Sequence, residues 1–557
     1  MTAPATHPLL RIPPFPGAGG QRLARADLSG GASLSDAEVD RIGVAFAEAK
    51  VGGTYWASQP PIPDVPFTLV RLTDPTVRAE VISSFGRERP IVLWLETASK
   101  LTCRHPLQVH LISGTLDPWH LLRGAAAVIV DSDDELALLA TLAGVAVKCV
   151  GNGRFASLGS SGAPAVRDAL RQYAIHGLQY ADPFTGTPMK ITDAIELCGF
   201  WRNLVDANRD ITAAVGFAFW KRPTVAPLLW GGTSRVPFVS KLKAIRPGEQ
   251  IALWKTRTNP ATMAGLEASD AQLIEVEDGF IRSTGLGADC VPPLSIIVDR
   301  LGVYFDPSHP SELERLLQEG DFTAEVLDRA RRLRELIVKL GISKYGADLS
   351  PLDRRVPGKR HLLVPGQVED DRSVMCGGGA VKTNIELLRR VRESNPDAYI
   401  VYKPHPDVEA GHRNGSIADE LCLTLAQEIV REPSVSSLID LVDEVHVNTS
   451  LAGFEALLRN KPVTTYGVPF YAGWGLTRDL GCVPQRRTKR RSLDELVAAT
   501  LLLYPRYLDP VTGLPCPPEI LVQRLSAGGV GPKAGPLVTL RRWQGRVNRA
   551  ASKIWSR

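Results

Sequence analysis

VHVNTSLAGFEALLRNKPVTTYGVPFYAGWG, from Val445 to Gly475, decides the fold. β-Branched residues at Val445, Val447, Val463, Thr464 and Thr465 mark two short strands, and Asn448, Thr449 and Ser450 are natural caps for a helix between them. Strand, helix, strand in that order is a parallel βα unit. The pattern recurs in ERPIVLWLE, GAAAVIVDS, VAVKCVG, QIALWKTR, AQLIEVEDG, LSIIVDR, KRHLLVPGQ and AYIVYKPHP, apolar runs separated by helical stretches. The fold class is α/β, with parallel sheets covered on both faces.

The quoted stretch has an internal counterpart. VIVDSDDELALLATLAGVAVKCVGNGRFASLG, Val128 to Gly159, aligns with it so that Gly151 falls on Gly467, Phe155 on Tyr471 and Gly159 on Gly475. Further along, QYADPFTGTP (Gln179 to Pro188) echoes RYLDPVTGLP (Arg506 to Pro515), a match outside any generic βα pattern. The copies part where chemistry is expected: KPHP at Lys403 to Pro406 has no equivalent near LWLETASK, Glu455 falls on Leu139, and Ser450 falls on Asp133. At 557 residues the chain exceeds one core. The division expected is an irregular lead-in over 1–55, a degenerate Rossmann-like half-module over 56–204, one lobe over 205–355, a second over 356–525, and a basic amphipathic tail over 526–557. Function should reside in the complete second part.

Composition narrows the class. With 44% apolar and 22% charged residues the chain is an ordinary globular protein, and a net charge of +5 suits an anionic ligand without the concentrated basic stripe of a nucleic-acid binder. Eight scattered cysteines, Cys103, Cys149, Cys198, Cys290, Cys376, Cys422, Cys482 and Cys516, form no CxxC pair and point to a reducing cytosol. MTAPATHPLLRIPPFPG lacks the features of a signal peptide, and no stretch approaches a membrane span, so membrane contact is expected to be peripheral.

Four clusters carry candidate chemistry. In VEDGFIRSTGLGADCVPPLSIIVD, Glu277 and Asp278 close a strand, where ligands of open α/β sheets bind. Gly279, Gly285 and Gly287 allow close backbone approach, and a carboxylate there can serve as nucleophile or base in glycosyl transfer. Arg282 can hold an anionic group. In YIVYKPHPDVEAG, Pro404 and Pro406 present Lys403 and His405 rigidly at a strand end, suited to a phosphate oxygen. Thr449 and Ser450 open a helix whose free N–H groups face an anion, and Glu455 lies within reach of a ribose hydroxyl. Gln367 follows a strand in VPGQVEDDRSVMCGGG; the glycines at 377–379 and the acids Glu369, Asp370 and Asp371 read as turn chemistry, as does Asp131 to Asp134, so no metal site is expected. RRTKRR, Arg486 to Arg491, reads as a solvated charge run. In LRRWQGRVNRAASKIWSR, a basic helical face beside Trp543 and Trp555 is either an interfacial membrane binder or a helix docked on its own domain.

Taken together, EDGFIRSTGLGADCVPPLS, YKPHPDV, TSLAGFEALLRNKPVTTYGVPFYAGWG and RYLDPVTGLPC resemble the KpsC/KpsS capsule polysaccharide biosynthesis family, strongly over 205–525 and weakly over 60–200. The resemblance implies a GT-B glycosyltransferase of two Rossmann-like lobes, a retaining β-Kdo transferase moving Kdo from CMP-Kdo to a lipid-linked saccharide acceptor, with no cofactor. It implies a cytoplasmic protein, peripheral at the inner face of the inner membrane, meeting the membrane surface and other capsule-assembly proteins, and no nucleic acid. By position, Asp278 is then the acid at the reaction centre with Glu277 beside it, Lys403 and His405 contact the CMP phosphate, Thr449 and Ser450 cap the nucleotide, and Glu455 binds its ribose. Double displacement through Asp278 and a front-face route stay open. So do two alternatives: another donor, such as CMP-sialic acid or a UDP-sugar, and a non-catalytic capsule-assembly scaffold.

Overall fold

The computed structural model describes residues 8–26, 34–85, 89–97, 109–159, 162–239, 245–283, 291–343, 346–347, 356–411, 413–432 and 434–527. The basic tail and Gly285 and Gly287 lie outside the described residues. The chain divides into two compact units, one of Met1–Asp210 with Leu229–Arg235, the other of Ile211–Leu228 with Val236–Arg557.

The front unit contains β1 (Ala24–Ala26), β2 (Phe67–Arg71), β3 (Ile91–Leu95), β4 (Val109–Ser113), β5 (Ala125–Asp131), β6 (Ala146–Val150) and β7 (Leu178–Tyr180). Five of these form a parallel sheet in the order β4-β3-β2-β5-β6, while β1 pairs antiparallel with β7. Val70, Ile91, Leu93 and Ile129 fill its core with Val81 and Ile82 from the helix Pro75–Phe85. The expected lead-in over 1–55 is not irregular throughout. Asp36–Ala49 is a helix, opened by a reciprocal capping box between Ser35 and Glu38 and burying Val39, Ile42 and Phe46. The Pro- and Gly-rich run before it concealed that Ser-x-x-Glu signal.

In the second unit, β8 (Ile211–Val215), β9 (Phe238–Val239), β10 (Gln250–Leu253), β11 (Gln272–Asp278) and β12 (Ser295–Asp299) begin one sheet, and β13 (Ile342–Ser343) and β14 (Gly346–Ala347) pair as a small hairpin. A second sheet follows from β15 (His361–Pro365), β16 (Tyr399–Lys403), β17 (Glu428–Ile429), β18 (Glu444–Val447), β19 (Val463–Thr465) and β20 (Arg478–Asp479), and the chain ends in β21 (Arg506–Leu508) and β22 (Pro515–Cys516). Among the described residues the second sheet is wholly parallel, in the order β17-β16-β15-β18-β19-β20. The first, β22-β21-β12-β11-β10-β8-β9, is mixed. β12 runs antiparallel to β11 because a loop, with no crossover helix among its described residues, joins them, and β21 runs antiparallel to β12. This corrects the linear division at 356–525: Arg506–Cys516 returns to the first sheet.

The internal repeat is structural. β4-β3-β2-β5-β6 follows the same strand order as β17-β16-β15-β18-β19, and β1 against β7 matches β12 against β21. A π-helical turn precedes β7 (Arg171–Ile175) and β21 (Ala498–Leu503) alike. The Tyr180 hydroxyl donates to the Ala174 carbonyl at 2.7 Å, and that of Tyr507 to Leu501 at 2.9 Å. The two DPxTGxP loops close identically, Asp182 N–H on Thr187 O and Asp509 N–H on Leu514 O, both at 2.9 Å. Gly186 and Gly513 take φ of 76° and 72°, which only glycine adopts without strain.

The RRTKRR run is not simply solvated, correcting the sequence reading. Arg487 is only 8% exposed. Its guanidinium donates to Glu314 and to the carbonyls of Pro469 and Ala472, while Arg486 also reaches Glu314 and Arg491 binds the carbonyls of Leu317 and Gly320. Basic runs are normally solvent-facing, but here the helix Glu312–Glu319 offers a buried carboxylate and open carbonyls. Removing one partner strands the other, so Arg487→Met should cost about 3 kcal/mol. Urea unfolding reads this, and an unchanged midpoint would show the bridge to be dispensable.

Candidate functional site

β8, β10 and β11 are parallel, so their carboxyl ends share one edge of the first sheet. β11 delivers Glu275, Glu277 and Asp278 there, and the last two line a cleft of about 580 Å3. Asp278 Oδ1 accepts from Lys221 Nζ at 3.2 Å and Oδ2 from Arg282 Nε at 2.9 Å. Arg372 spans to Glu275 at 3.2 Å and to Glu277 at 3.4 Å, while Lys255 lies 3.7 Å from Glu275. Burial, followed by the like charge of Asp278, pushes the Glu277 carboxyl up to about 8, so it retains a proton at neutral pH. Gly279 sits where β12 passes closely: a Cβ there would lie 2.3 Å from Ser295 Oγ.

Arg282 does not take the role expected of it. At 1% exposure it lies outside the cleft lining, and its guanidinium donates to Asp278, Ser283 Oγ and the Val291 carbonyl. It grips a protein carboxylate where a substrate anion was expected.

The facing wall comes from the carboxyl ends of β15, β16 and β18, which are again parallel. Gln367 and Thr449 pair reciprocally, the Gln367 amide donating to Thr449 Oγ1 at 3.0 Å and accepting from Thr449 N–H at 2.9 Å. Asn384 fixes Gln367 from behind through two hydrogen bonds of 2.8 Å to its backbone. Lys403, 4% exposed, donates to the Arg431 carbonyl at 2.9 Å, and burial pulls its ammonium below the ordinary lysine range. His405 caps the turn Pro406–Glu409, its Nδ1 accepting from Asp407 N–H at 3.1 Å. In the neutral ring this leaves the proton on Nε2. Ser450 caps the helix Leu451–Leu458, accepting from Ala452 N–H, and Glu455 is buried one turn further on.

The structure thus brings Glu277, Asp278, Gln367, Lys403, His405, Thr449, Ser450 and Glu455 into one cleft. Phe280 joins the two walls, its ring 4.8 Å from Phe470 and 4.7 Å from Tyr304. The glycines at 377–379 do not line it, and Gly378 packs where a Cβ would meet the Val374 carbonyl at 2.4 Å. Asp371 caps the helix Arg372–Gly377, and Asp370 pairs with Arg413. Among the described residues no group of three or more His, Cys, Asp or Glu could hold a metal ion, and no helix is long and apolar enough to cross a membrane. Sequence reasoning missed Lys221, Arg372, Arg413 and Arg431. Lys221 was findable from ITAAV, an apolar run that ends shortly before FWKR; the three arginines sit in loops or a helix start with no spacing signal.

Residues 249–507 match the family described as capsule polysaccharide biosynthesis protein. LipA of Neisseria meningitidis serogroup B, a capsule polysaccharide modification protein, is 40% identical over 356 residues, covering 62% of this chain and 50% of that protein. LpsZ of Rhizobium meliloti, a lipopolysaccharide-processing protein, is 49% identical over 248 residues, covering 43% and 55%. The chain spans about half the length of the curated relatives it matches. The solved β-Kdo 2,4 transferase of Thermosulfurimonas dismutans KpsC is 34% identical, covers 57% of this chain and 98% of that one, and superposes with a TM-score of 0.50. The chain belongs to the KpsC-like capsule polysaccharide biosynthesis family.

The Glu277 carboxyl predicts a pH signature. Its proton is bound more tightly in the folded chain than in the unfolded one, whose carboxyl ionises near 4.5. The associated stability is therefore complete below that value and is lost as pH rises toward about 8. Glu277→Gln should flatten that decline in thermal midpoint between pH 5 and 8.5. Parallel declines in the two proteins would show that Glu277 carries no bound proton.

Proposed function

We propose that the second unit is a GT-B-type glycosyltransferase, a retaining β-Kdo transferase that uses CMP-Kdo to extend a lipid-linked saccharide at the cytoplasmic face of the inner membrane. One observation carries this reading: a pair of acidic side chains on one wall and a lysine–histidine pair on the other line the same cleft. The first sheet would form the acceptor side and the second the donor side. Its volume of about 580 Å3 lies in the range of small-molecule sites.

The chemistry follows from charge. As the bond from the sugar's anomeric carbon to phosphate breaks, positive charge grows on the sugar and negative charge on the departing nucleotide. Asp278 is suited to the first, and His405 Nε2–H with the Lys403 ammonium to the second. The N-terminus of the helix Leu451–Leu458 adds its positive end on the same wall. Glu455 on that helix is suited to the ribose. Glu277, protonated at neutral pH, offers a donor to the sugar or to the incoming acceptor. No metal or cofactor enters this scheme.

The test is incubation of the purified protein with CMP-Kdo generated in situ and a synthetic Kdo-terminated lipid, with product mass as the readout. Asp278→Ala should abolish the product, and His405→Ala should lower turnover by about 100-fold or more. Full turnover by Asp278→Ala would end the proposal, as would transfer from a UDP-sugar in preference to CMP-Kdo.

A further inference from the structure

The parallel edge of the first sheet builds more than the carboxylate pair. Lys221 follows β8, Trp254 follows β10 and Asp278 ends β11, so three adjacent strand ends converge on one point. Lys221 is 5% exposed, and its Nζ lies 3.2 Å from Oδ1 of Asp278 and 3.2 Å from the centroid of the Trp254 ring. Trp254 is itself fully buried. A lysine is seldom this deep unless its charge is matched, and here one carboxylate oxygen and one indole face match it. Gly216, at φ of 82°, makes the approach possible, since a Cβ would lie 2.4 Å from the Trp254 carbonyl.

Arg282 holds the other oxygen of Asp278. The two cations therefore grip opposite oxygens and fix both the rotation of the carboxylate and its charge. The neighbouring Glu277 faces a different balance: burial and the charge of Asp278 disfavour its ionised form and outweigh Lys221 and Arg372, the latter being shared with Glu275, which also has Lys255 nearby. Two carboxyls side by side on one strand thus receive unequal compensation, and that inequality separates their roles.

We propose that Lys221, seated on Trp254, is a positioning residue that holds the Asp278 carboxylate ionised and correctly turned toward the cleft. The proposal rests on the transferase reading and assigns Lys221 no contact with substrate; it acts through Asp278. Lys221 is absent from the cleft lining, as such a role requires.

The test uses the full-length protein, CMP-Kdo and the Kdo-terminated lipid. Lys221→Met, which keeps the bulk and removes the charge, should lower kcat by about 100-fold, the loss expected from a misplaced reacting group, with KM for CMP-Kdo within threefold of wild type. In an Asp278→Asn background, the same change should cost no further thermal stability, because its target is already gone. Lys221→Met with near-normal kcat would overturn the proposal, as would a loss appearing mainly in KM. An equal loss of thermal midpoint in the wild-type and Asp278→Asn backgrounds would do the same, marking Lys221 as mere packing. The thermal comparison needs no turnover, so it judges the Lys221–Asp278 coupling even if the wild-type protein fails to use CMP-Kdo, a failure that would count against the transferase reading alone.

Discussion

Three acidic side chains, Glu275, Glu277 and Asp278, crowd the last residues of β11, and uncompensated negative charge at a half-buried strand end is costly. The surrounding structure answers that constraint. Lys221 arrives from β8, Lys255 from the end of β10, Arg282 from the loop after β11 and Arg372 from beyond β15. The arriving cations tie the first sheet to itself and, through Arg372, to the second. The residues that set the charge of the first wall are thus also residues that align it with the second. A neutral β11 terminus would lose both the charge pattern of the cleft and part of the registration.

The second wall solves a different problem. Its strand ends must present positive charge without collapsing onto the carboxylates opposite. Proline at 404 and 406 fixes the backbone around His405, Lys403 is tethered to the Arg431 carbonyl, and Gln367 is clamped between Asn384 and Thr449. Each group is anchored by its own wall, so the cleft stays open. The aromatic contacts of Phe280 with Tyr304 and Phe470 supply the apolar joint that the ion pairs alone could not.

Much of this was legible in the sequence because parallel strands announce themselves as apolar β-branched runs, and because function gathers at their carboxyl ends. Asp278 and His405 could be placed at strand ends from periodicity and proline alone. The direction of β12 could not, since it depends on how the chain connects it to β11 and not on strand composition. Nor could the fate of Arg282 or Arg487: an arginine facing a ligand and one buried against a protein carboxylate look identical until the partner, Asp278 or Glu314, is brought near by the fold. Lys221 could be placed near a strand end from ITAAV, but its partners Asp278 and Trp254 lie far from it in the chain and only the fold brings them near.

The front unit shows what the same topology becomes when those groups are replaced. Arg71 ends β2, the counterpart of β15, and there its guanidinium lies 3.9 Å from the Trp94 ring centroid and 2.8 Å from Asp134. Asp131 meanwhile accepts from Thr73 N–H at 2.7 Å. Strand ends that elsewhere surround a cleft are here tied to one another. Leu139 stands where the second unit has Glu455, and among the described residues no lysine–histidine pair follows β3. The strand order, the π-helical turn and the DPxTGxP loop survive all the same, because they depend on backbone hydrogen bonds and buried apolar contacts that owe nothing to a ligand. Fold and site are separable in this chain, and the charges at the ends of β11 and β16 are what separate them.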